Sequence, residues 1–293
     1  MNYSSDILGE LLSRFVAAHD FSSHTVRALR HDVSTFVNYF ERANNETFSL
    51  HRVTAADVAG LKDFLRNAEK KSVSTVNRNL VSLRSLFKWL VDESIVGTNP
   101  CLKIKEIARQ QSSPKGLDKS QVRKLLREIE LRNDIRSDAI FSLFLFTGCR
   151  VGDVVGIELS DLYFSERTAT IRFRHGKGNK ERSVPVPLIA KKAMQNYLGT
   201  RPSSRSTKIF IGERGPLTDR GIRSVAQRYS AICGFHIHPH LLRHTFSKQF
   251  LVDSGNDLTA LAQILGHSSI ATTAIYAKQT VDSLGLLSDK VAY

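Results

Sequence analysis

The chain has 293 residues, of which 41% are hydrophobic and 24% are charged. This balance is that of an ordinary globular protein and argues against a disordered, collagen-like or coiled-coil chain, while the length favours two domains. The formal net charge is +14 at pH 7, and so large an excess indicates a polyanionic partner, either nucleic acid or an anionic membrane surface.

The membrane alternative finds little support in the sequence. The longest largely apolar run, residues 139–146, is far shorter than the roughly 20 residues that span a bilayer, and the N-terminus lacks the basic start and apolar core of a signal peptide. Cys101, Cys149 and Cys233 are an odd number at wide spacing, which fits a reducing compartment and gives neither a disulfide framework nor a zinc site. We expect a cytoplasmic protein with no membrane partner.

Residues 1–106 are predicted to form a helical domain, because apolar residues recur there at helical spacing. The first helix is expected over about residues 7–19. The next three are predicted to begin at hydroxyl-bearing N-cap residues: Ser22 or Ser23, Thr54 and Ser74.

Basic side chains occupy the exposed faces of two of these helices. They are Arg27, Arg30, Arg78, Arg84 and Lys88. Each one alone is equally well explained as part of a solvated helix surface. Together, on a basic protein, they predict phosphate contacts made by helices that lie across a duplex groove.

Residues 107–116 are polar, contain Ser, Pro and Gly, and are predicted to be a linker. The part that follows, residues 117–293, holds most of the positive excess. Asp118 and Asp134 are predicted to begin two helices that end near Arg132 and Phe146.

A β-hairpin is predicted next. Its strands are residues 168–173 and 182–187, because apolar and polar residues alternate in the first and a Gly-rich turn, residues 175–181, separates the two. Everything after about Ile189 is predicted to be helical. The sequence therefore predicts a mainly α protein with a small antiparallel β-sheet, divided into a helical bundle and an α+β domain.

Four clusters carry residues suited to phosphate chemistry. In the first, Arg150 follows the tight turn at Gly148 and lies at a helix start, where an anion is also favoured by backbone N–H groups. The alternative is an arginine that joins two helices through Asp153.

In the second cluster, Lys177 and Lys180 lie in the Gly-rich turn. A lysine there could protonate a leaving oxygen, or the turn could simply be solvated.

The third cluster is residues 238–244. His240 and Arg243 are three residues apart on one helix face, after a Pro239 that suits a first helical turn. The alternating histidines also allow a metal site, but no acidic or Cys ligand is nearby, so we expect no metal.

In the fourth cluster, Gly266 is predicted to end a helix, and His267 precedes Tyr276 by nine positions. A helix cap and an ordinary half-buried tyrosine are the alternatives there.

The ordered combination of these clusters is far more specific than any one of them. The segments Thr147-Gly-Cys-Arg150, Gly176-Lys-Gly-Asn-Lys-Glu-Arg182, His240-Leu-Leu-Arg-His-Thr-Phe246 and Leu265-Gly-His-Ser268, followed by Tyr276, resemble the catalytic signature of the tyrosine recombinases, or phage integrase family. The sequences of these segments are most similar to those of the Xer and simple-integrase branch. The resemblance implies a helical N-terminal core-binding domain over 1–106 and a catalytic domain with a C-terminal tail over 117–293.

The resemblance also implies a site-specific DNA recombinase that cleaves and rejoins DNA through a 3′-phosphotyrosyl link, without ATP, metal or any cofactor. In that scheme Tyr276 is the nucleophile, Arg150 and Arg243 stabilise phosphate charge, and Lys177 protonates the leaving oxygen. The remaining expected roles are these: His240 handles the tyrosine proton, His267 bonds the phosphate, and Asp153 orients its neighbours. Arg174 and Lys180, beside the turn, are further candidates for DNA contact.

The implied partners are double-stranded DNA carrying a specific recombination site and three further copies of the chain, in a tetramer on two sites linked by exchange of the apolar tail, residues 281–293. A second recombinase or an accessory protein stays open as a partner. Two other functions stay open from the residues: a type IB topoisomerase-like enzyme and a non-catalytic DNA-binding regulator.

Overall fold

The structure is a computed structural model, and it describes residues 5–108, 115–166, 168–174, 181–267 and 269–276. The chain folds as two compact units, Met1–Gln110 and Gln111–Tyr293. The division falls within the segment 107–116, and the DNA-binding and catalytic roles of the two parts stay predictions. Within the described ranges, no helix has the length and apolar character needed to cross a bilayer.

The described part of the first unit contains helices joined by loops, and no strands. Its α-helices are α1 (Ser5–Ala17), α2 (Ser23–Asn44), α3 (Ala55–Asp63) and α4 (Val73–Asp92). A short 3₁₀ helix, Leu50–Arg52, precedes α3, and a π-helical turn, Phe64–Ala68, follows it.

Side-chain oxygens cap these helices as local sequence rules require. Ser22 caps α2 by accepting from the Thr25 N–H at 3.2 Å, and Thr54 caps α3 in a reciprocal capping box with Asp57. The predicted cap at Ser74 is wrong, because Ser72 accepts from the Thr75 N–H and α4 begins two residues earlier.

The core of the first unit lies between α2 and α4. Phe36 and Phe40 of α2 and Phe87 of α4 are fully buried, and the Phe36 ring meets the Phe87 ring edge-on at a centroid distance of 6.4 Å. The chain leaves this unit at Ile107, whose main chain is bonded in both directions by the side-chain amide of Asn77 at 2.8 and 2.9 Å.

The second unit begins with α5 (Lys119–Leu131), capped by Asp118, and α6 (Ile135–Thr147), capped by Asp134. Both predicted caps are confirmed. The next helices are α7 (Val151–Gly156), α8 (Leu188–Thr200) and α9 (Asp219–Cys233). Within the described residues these are followed by α10 (Pro239–Asp253), α11 (Leu258–Leu265) and α12 (Ile270–Ala274).

A small antiparallel sheet of three strands lies between α7 and α8. Its strands are β1 (Leu162–Phe164), β2 (Ala169–Phe173) and β3 (Arg182–Pro185), in that order, and Ile171 of β2 lies opposite Leu162 and Val184. The predicted hairpin of β2 and β3 is confirmed, whereas β1 was not predicted.

The expectation that everything after Ile189 is helical is wrong. A two-stranded ladder, β4 (Ile211–Gly212) and β5 (Gly215–Pro216), lies between α8 and α9. The overall prediction of a mainly α fold with small antiparallel sheets is confirmed.

Helix α6 is the centre of the second unit. Ala139, Ile140, Phe141, Leu143 and Phe144 are all buried, which is the pattern of a helix that neighbours surround on every side. Helices α5, α8 and α10 pack on it. The C-terminal end of α6 is therefore a rigid point from which the residues that follow can be positioned.

Candidate active site

Arg150 is positioned by the end of α6. The helix stops at Gly148, whose φ of +60° is the left-handed conformation that glycine adopts most easily, and an added Cβ there would clash with the Phe246 ring. Arg150 then caps α7, and the Asp153 carboxylate accepts its backbone N–H at 2.7 Å. Asp153 thus orients the main chain of Arg150, and its charge favours the charged form of the guanidinium group.

Arg243 enters the same region from α10. That helix begins with Pro239, and the Nδ1 atom of His238 accepts the Leu241 N–H at 3.0 Å as its cap. Arg243 is only 4% exposed, and it donates to the carbonyls of Gly148 and Leu265, the latter at 3.0 Å.

Both arginines meet at the turn that ends α11. Gly266 has a φ of +63°, and its carbonyl accepts from Nη2 of Arg150 at 3.4 Å, one residue after the carbonyl that Arg243 contacts. The two guanidinium groups therefore share one basin, although 93 residues separate them in the chain.

The positive charge in this basin is incompletely satisfied. Nη1 of Arg150 is buried and, among the described residues, has no hydrogen-bond partner. Burial, followed by repulsion from Arg150, lowers the pKa of Arg243 to about 10, and burial likewise lowers the pKa of Arg150. Buried donors normally have partners, so the geometry fits an anion that would bind between the two side chains.

His267 stands at the edge of the same basin. Its Nε2 atom lies 3.0 Å from Nη2 of Arg243, and its Nδ1 atom lies 2.8 Å from the hydroxyl of Thr273. Because a guanidinium N–H can only donate, Nε2 accepts and Nδ1 carries the proton that is donated to Thr273. The imidazole ring is therefore fixed against α12.

Tyr276 lies just after α12, half-buried beside α10. Its hydroxyl is 2.7 Å from Nδ1 of His244. Burial raises the pKa of Tyr276, while Arg243 and Arg150 oppose that change by favouring the phenolate. The tyrosine hydroxyl is thus within the field of both arginines.

The histidine that contacts Tyr276 is therefore His244, whereas the family resemblance predicted that His240 handles the tyrosine proton. His240 is exposed one helical turn earlier, with its ring centroid 6.5 Å from that of His244. Burial and repulsion by Arg223 and Arg243 lower the pKa of His240, which places it in the same positive field.

Arg182 joins the site from β3 and was not among the predicted site residues. It donates to the Asp153 carboxylate and to the Ile264 carbonyl, the latter at 3.3 Å, and it lies over the Phe173 ring at 4.6 Å. Its Nη1 atom is buried and lacks a hydrogen-bond partner in the described part of the chain. Lys177 and Lys180 lie outside the described residues.

Two sequence signals could have found the residues that were missed. Arg182 lies on the same side of β3 as the buried Val184, so its charge faces inward. His244 follows His240 by four residues and shares its helix face. Both residues stand within the segments that carry the family resemblance.

Four of the other candidate DNA-contact residues already pair with the chain's own carboxylates. Arg78 bonds Asp32 at 2.9 Å, Arg84 bonds Glu106 at 3.1 Å, Lys88 bonds Asp92 at 2.6 Å and Arg174 bonds Asp161 at 2.6 Å. Arg27 and Arg30 are exposed on α2. Within the described ranges, no group of three His, Cys, Asp or Glu side chains is arranged to hold a metal ion.

Comparison with known proteins agrees with this geometry. The model of the phage integrase family matches residues 115–282, and that of the phage integrase N-terminal SAM-like domain matches residues 11–94. The tyrosine recombinase XerC of Thermodesulfovibrio yellowstonii is 34% identical, over 92% of this chain and 90% of its own. The tyrosine recombinase XerD of Listeria monocytogenes is 30% identical, over 94% and 95%.

A solved structure shows the same fold. It is the XerH site-specific recombinase bound to palindromic difH substrate in a post-cleavage complex, with a TM-score of 0.77 and 20% identity over 98% of this chain and 84% of that one. The chain belongs to the phage integrase family, the tyrosine recombinases. The predicted family, and with it the prediction of a site-specific DNA recombinase, is confirmed, and its similar relatives are of the Xer type.

Proposed function

We propose that the chain recombines double-stranded DNA at a specific site, with Tyr276 attacking a phosphodiester to form a 3′-phosphotyrosyl link and release a 5′-hydroxyl. A 5′-hydroxyl of another strand then attacks that link and rejoins the DNA. The energy of the broken bond is kept in the link, so the cycle needs no ATP.

The observation that carries this proposal is the basin where Arg150 and Arg243 meet. A phosphodiester there would receive N–H donors on its non-bridging oxygens, and those bonds strengthen as negative charge grows in the transition state. Tyr276 belongs to the same chain and lies in the field of both arginines, which favours cleavage by each molecule's own tyrosine.

The remaining residues take supporting roles. His267, held by Thr273, would donate to a non-bridging oxygen of the phosphate beside Arg243 once its Nε2 atom carries a proton. Asp153 and Arg182 would hold the loop that carries Arg150. Lys177 would protonate the leaving 5′ oxygen, since the charged form of a lysine is favoured beside a phosphate.

DNA contact by the first unit follows from its exposed basic residues. Arg27 and Arg30 on α2 are the best candidates, because Arg78, Arg84 and Lys88 each already bond a carboxylate of the chain. A guanidinium group that has no carboxylate to neutralise it attracts phosphate most strongly.

We further propose a tetramer on two DNA sites, linked by the apolar tail over residues 281–293, which lies outside the described residues. Leu284, Leu286 and Leu287 would dock on a neighbouring copy. Truncation after Lys278 should abolish assembly of paired sites in gel-shift and sizing experiments. Unchanged assembly and strand exchange would contradict this part of the proposal.

The test of the central proposal also finds the DNA target. Cells that express the protein are lysed in denaturant, the protein is purified, and the covalently attached DNA ends are sequenced. We expect a single recurrent sequence attached through Tyr276, and none with Tyr276→Phe. An adduct of the same yield with Tyr276→Phe, or no adduct with the unaltered chain, would overturn the proposal.

A further inference from the structure

We propose that His244 is the catalytic residue that takes the proton from Tyr276 during DNA cleavage and returns it during rejoining. The inference rests on the proposed function, because it assigns a role in that same phosphoryl transfer. It differs from the sequence-based expectation, in which His240 has this role.

The geometry favours His244 directly. Its Nδ1 atom lies 2.7 Å from the Tyr276 hydroxyl, which is within the range of a proton-transfer partner. The two rings are 5.4 Å apart at their centroids. When the neutral ring carries its hydrogen on Nε2, Nδ1 presents a lone pair to the hydroxyl.

Burial and the charges around His244 keep its imidazole ring neutral, so that the ring is free to accept a proton. Burial lowers its pKa to about 4, and His240, His238 and Arg243 all add to that effect, so the ring is neutral at pH 7. In the DNA-free protein the proton stays on Tyr276, whose own pKa is raised by burial.

A bound phosphate changes that balance. Its negative charge beside Arg243 offsets the repulsion that lowers the pKa of His244, and proton transfer to the ring then costs less. The nucleophile would thus become competent chiefly when DNA occupies the arginine basin.

Cleavage and rejoining are the forward and reverse directions of one phosphoryl transfer. The bond between Tyr276 Oη and phosphorus forms, the bond between phosphorus and the 5′ oxygen breaks, and the tyrosine proton moves to Nδ1 of His244. Lys177 supplies the proton to the 5′ oxygen. In rejoining, every transfer runs backwards, and the His244 imidazolium protonates the departing tyrosine oxygen.

His244→Gln is the informative variant, because a glutamine can accept a hydrogen bond but cannot carry the proton. Its cleavage is measured as single-turnover formation of the covalent adduct on a nicked suicide duplex that contains the site recovered above. We expect cleavage to slow by roughly 10²–10⁴-fold, the usual contribution of a positioned acid or base.

A second substrate separates proton transfer from every other role. Its 3′ end carries a p-nitrophenyl phosphate in place of the phosphotyrosine, so a 5′-hydroxyl strand can join it without the nucleophile and without protonation of the leaving group. His244→Gln should join this substrate at the rate of the unaltered chain. Arg150→Ala, the matched control, should be slow on both substrates because both reactions develop charge on phosphate oxygens.

Several outcomes would overturn the proposal. Equal slowing of His244→Gln on both substrates would show a structural role, and normal cleavage would show no role. If His240→Gln slowed cleavage selectively and His244→Gln did not, the role in proton transfer would belong to His240. If His244→Gln is poorly folded by circular dichroism, His244→Ala takes its place, and added imidazole should restore its cleavage. Failure of the unaltered chain on both substrates would instead refute the proposed function.

Discussion

Basic side chains meet different surroundings in the two units of the molecule. In the first unit, Arg78 bonds the fully buried carboxylate of Asp32, and Arg84 bonds Glu106. In the second unit, Arg150 and Arg243 bond backbone carbonyls of the Gly266 turn, and a buried N–H of Arg150 has no partner in the described part of the chain.

This difference distinguishes basic side chains that stabilise the fold from basic side chains that are available to bind an anionic ligand. An arginine paired with a buried carboxylate stabilises its own unit, because loss of the arginine leaves that carboxylate without a counter-charge. Arg150 is half-buried and Arg243 is buried, and among the described residues neither guanidinium group bonds a carboxylate. They repel each other, and an anion between them would relieve that repulsion. A count of basic residues cannot make this distinction.

In the comparison of the two units, the largest expected effect is on Arg150→Ala. Its cleavage of the suicide duplex at saturating protein should fall by roughly 10²–10³-fold, the usual cost of losing one donor to developing charge. Its free energy of unfolding should change little, because among the described residues the Arg150 side chain makes one long hydrogen bond, to the Gly266 carbonyl. Cleavage close to that of the unaltered chain would show that the basin does not hold the reacting phosphate.

Arg78→Ala should show the opposite behaviour. Loss of the partner of Asp32 should lower the free energy of unfolding by about 1–3 kcal/mol, measured by urea denaturation. The adduct should still form at the normal rate at saturating protein. Arg78→Lys, which keeps the charge, is the control and should lose less stability. An Arg78→Ala protein that unfolds at the normal urea concentration but forms the adduct slowly would contradict the contrast between the two units.

The folds of these elements could be predicted wherever the signal is local. Ser22, Thr54 and Asp118 cap helices as expected, because a cap needs a partner only two or three residues away. The error at Ser74 arose because Ser72 two residues earlier is an equally good cap. The strands β1, β4 and β5 have two or three residues each, too few to show alternation.

The site residues divide in the same way. The motifs indicated Arg150, Arg243, His267 and Tyr276, and the structure brings these together. The sequence could not show that His244 rather than His240 reaches Tyr276, because the contact spans 32 residues and depends on how α12 packs on α10. The bond from Arg182 to Asp153 likewise depends on tertiary packing.

Acid should lower the free energy of unfolding, and His244 should contribute to this loss over a defined pH range. Its pKa in the folded state is about 4, below the ordinary 6.5, so its contribution to stability is complete above pH 6.5 and is lost as the pH falls towards 4. The carboxyls of Asp57, Asp134 and Asp161 have lowered pKa values, and their contribution is lost below about pH 4.

His244→Gln should therefore lose less stability than the unaltered chain between pH 6.5 and 4, with the two curves parallel below that range. The remaining slope would come partly from His238 and His240, whose pKa values are also lowered. Urea midpoints at half-unit pH steps measure this. Identical slopes for the two proteins would show that His244 is not kept neutral by its surroundings.

The smallest expected effect is on Arg30→Ala. Arg30 is exposed, so stability should change by no more than about 0.5 kcal/mol. If it contacts a phosphate, the slope of log affinity against log salt should fall in magnitude by about 1, with all DNA sequences weakened alike. Lys88→Ala, which removes a lysine already bonded to Asp92, should change that slope less.

The charge of one phosphodiester tests the account most directly. The suicide duplex is prepared with a neutral methylphosphonate at the cleaved position, and adduct formation is compared for the unaltered chain and Arg150→Ala. Because the arginine would then have less negative charge to stabilise, we predict that Arg150→Ala loses most of its defect on the neutral linkage. An equal defect on both linkages would contradict the claim that this basin is built for a phosphate.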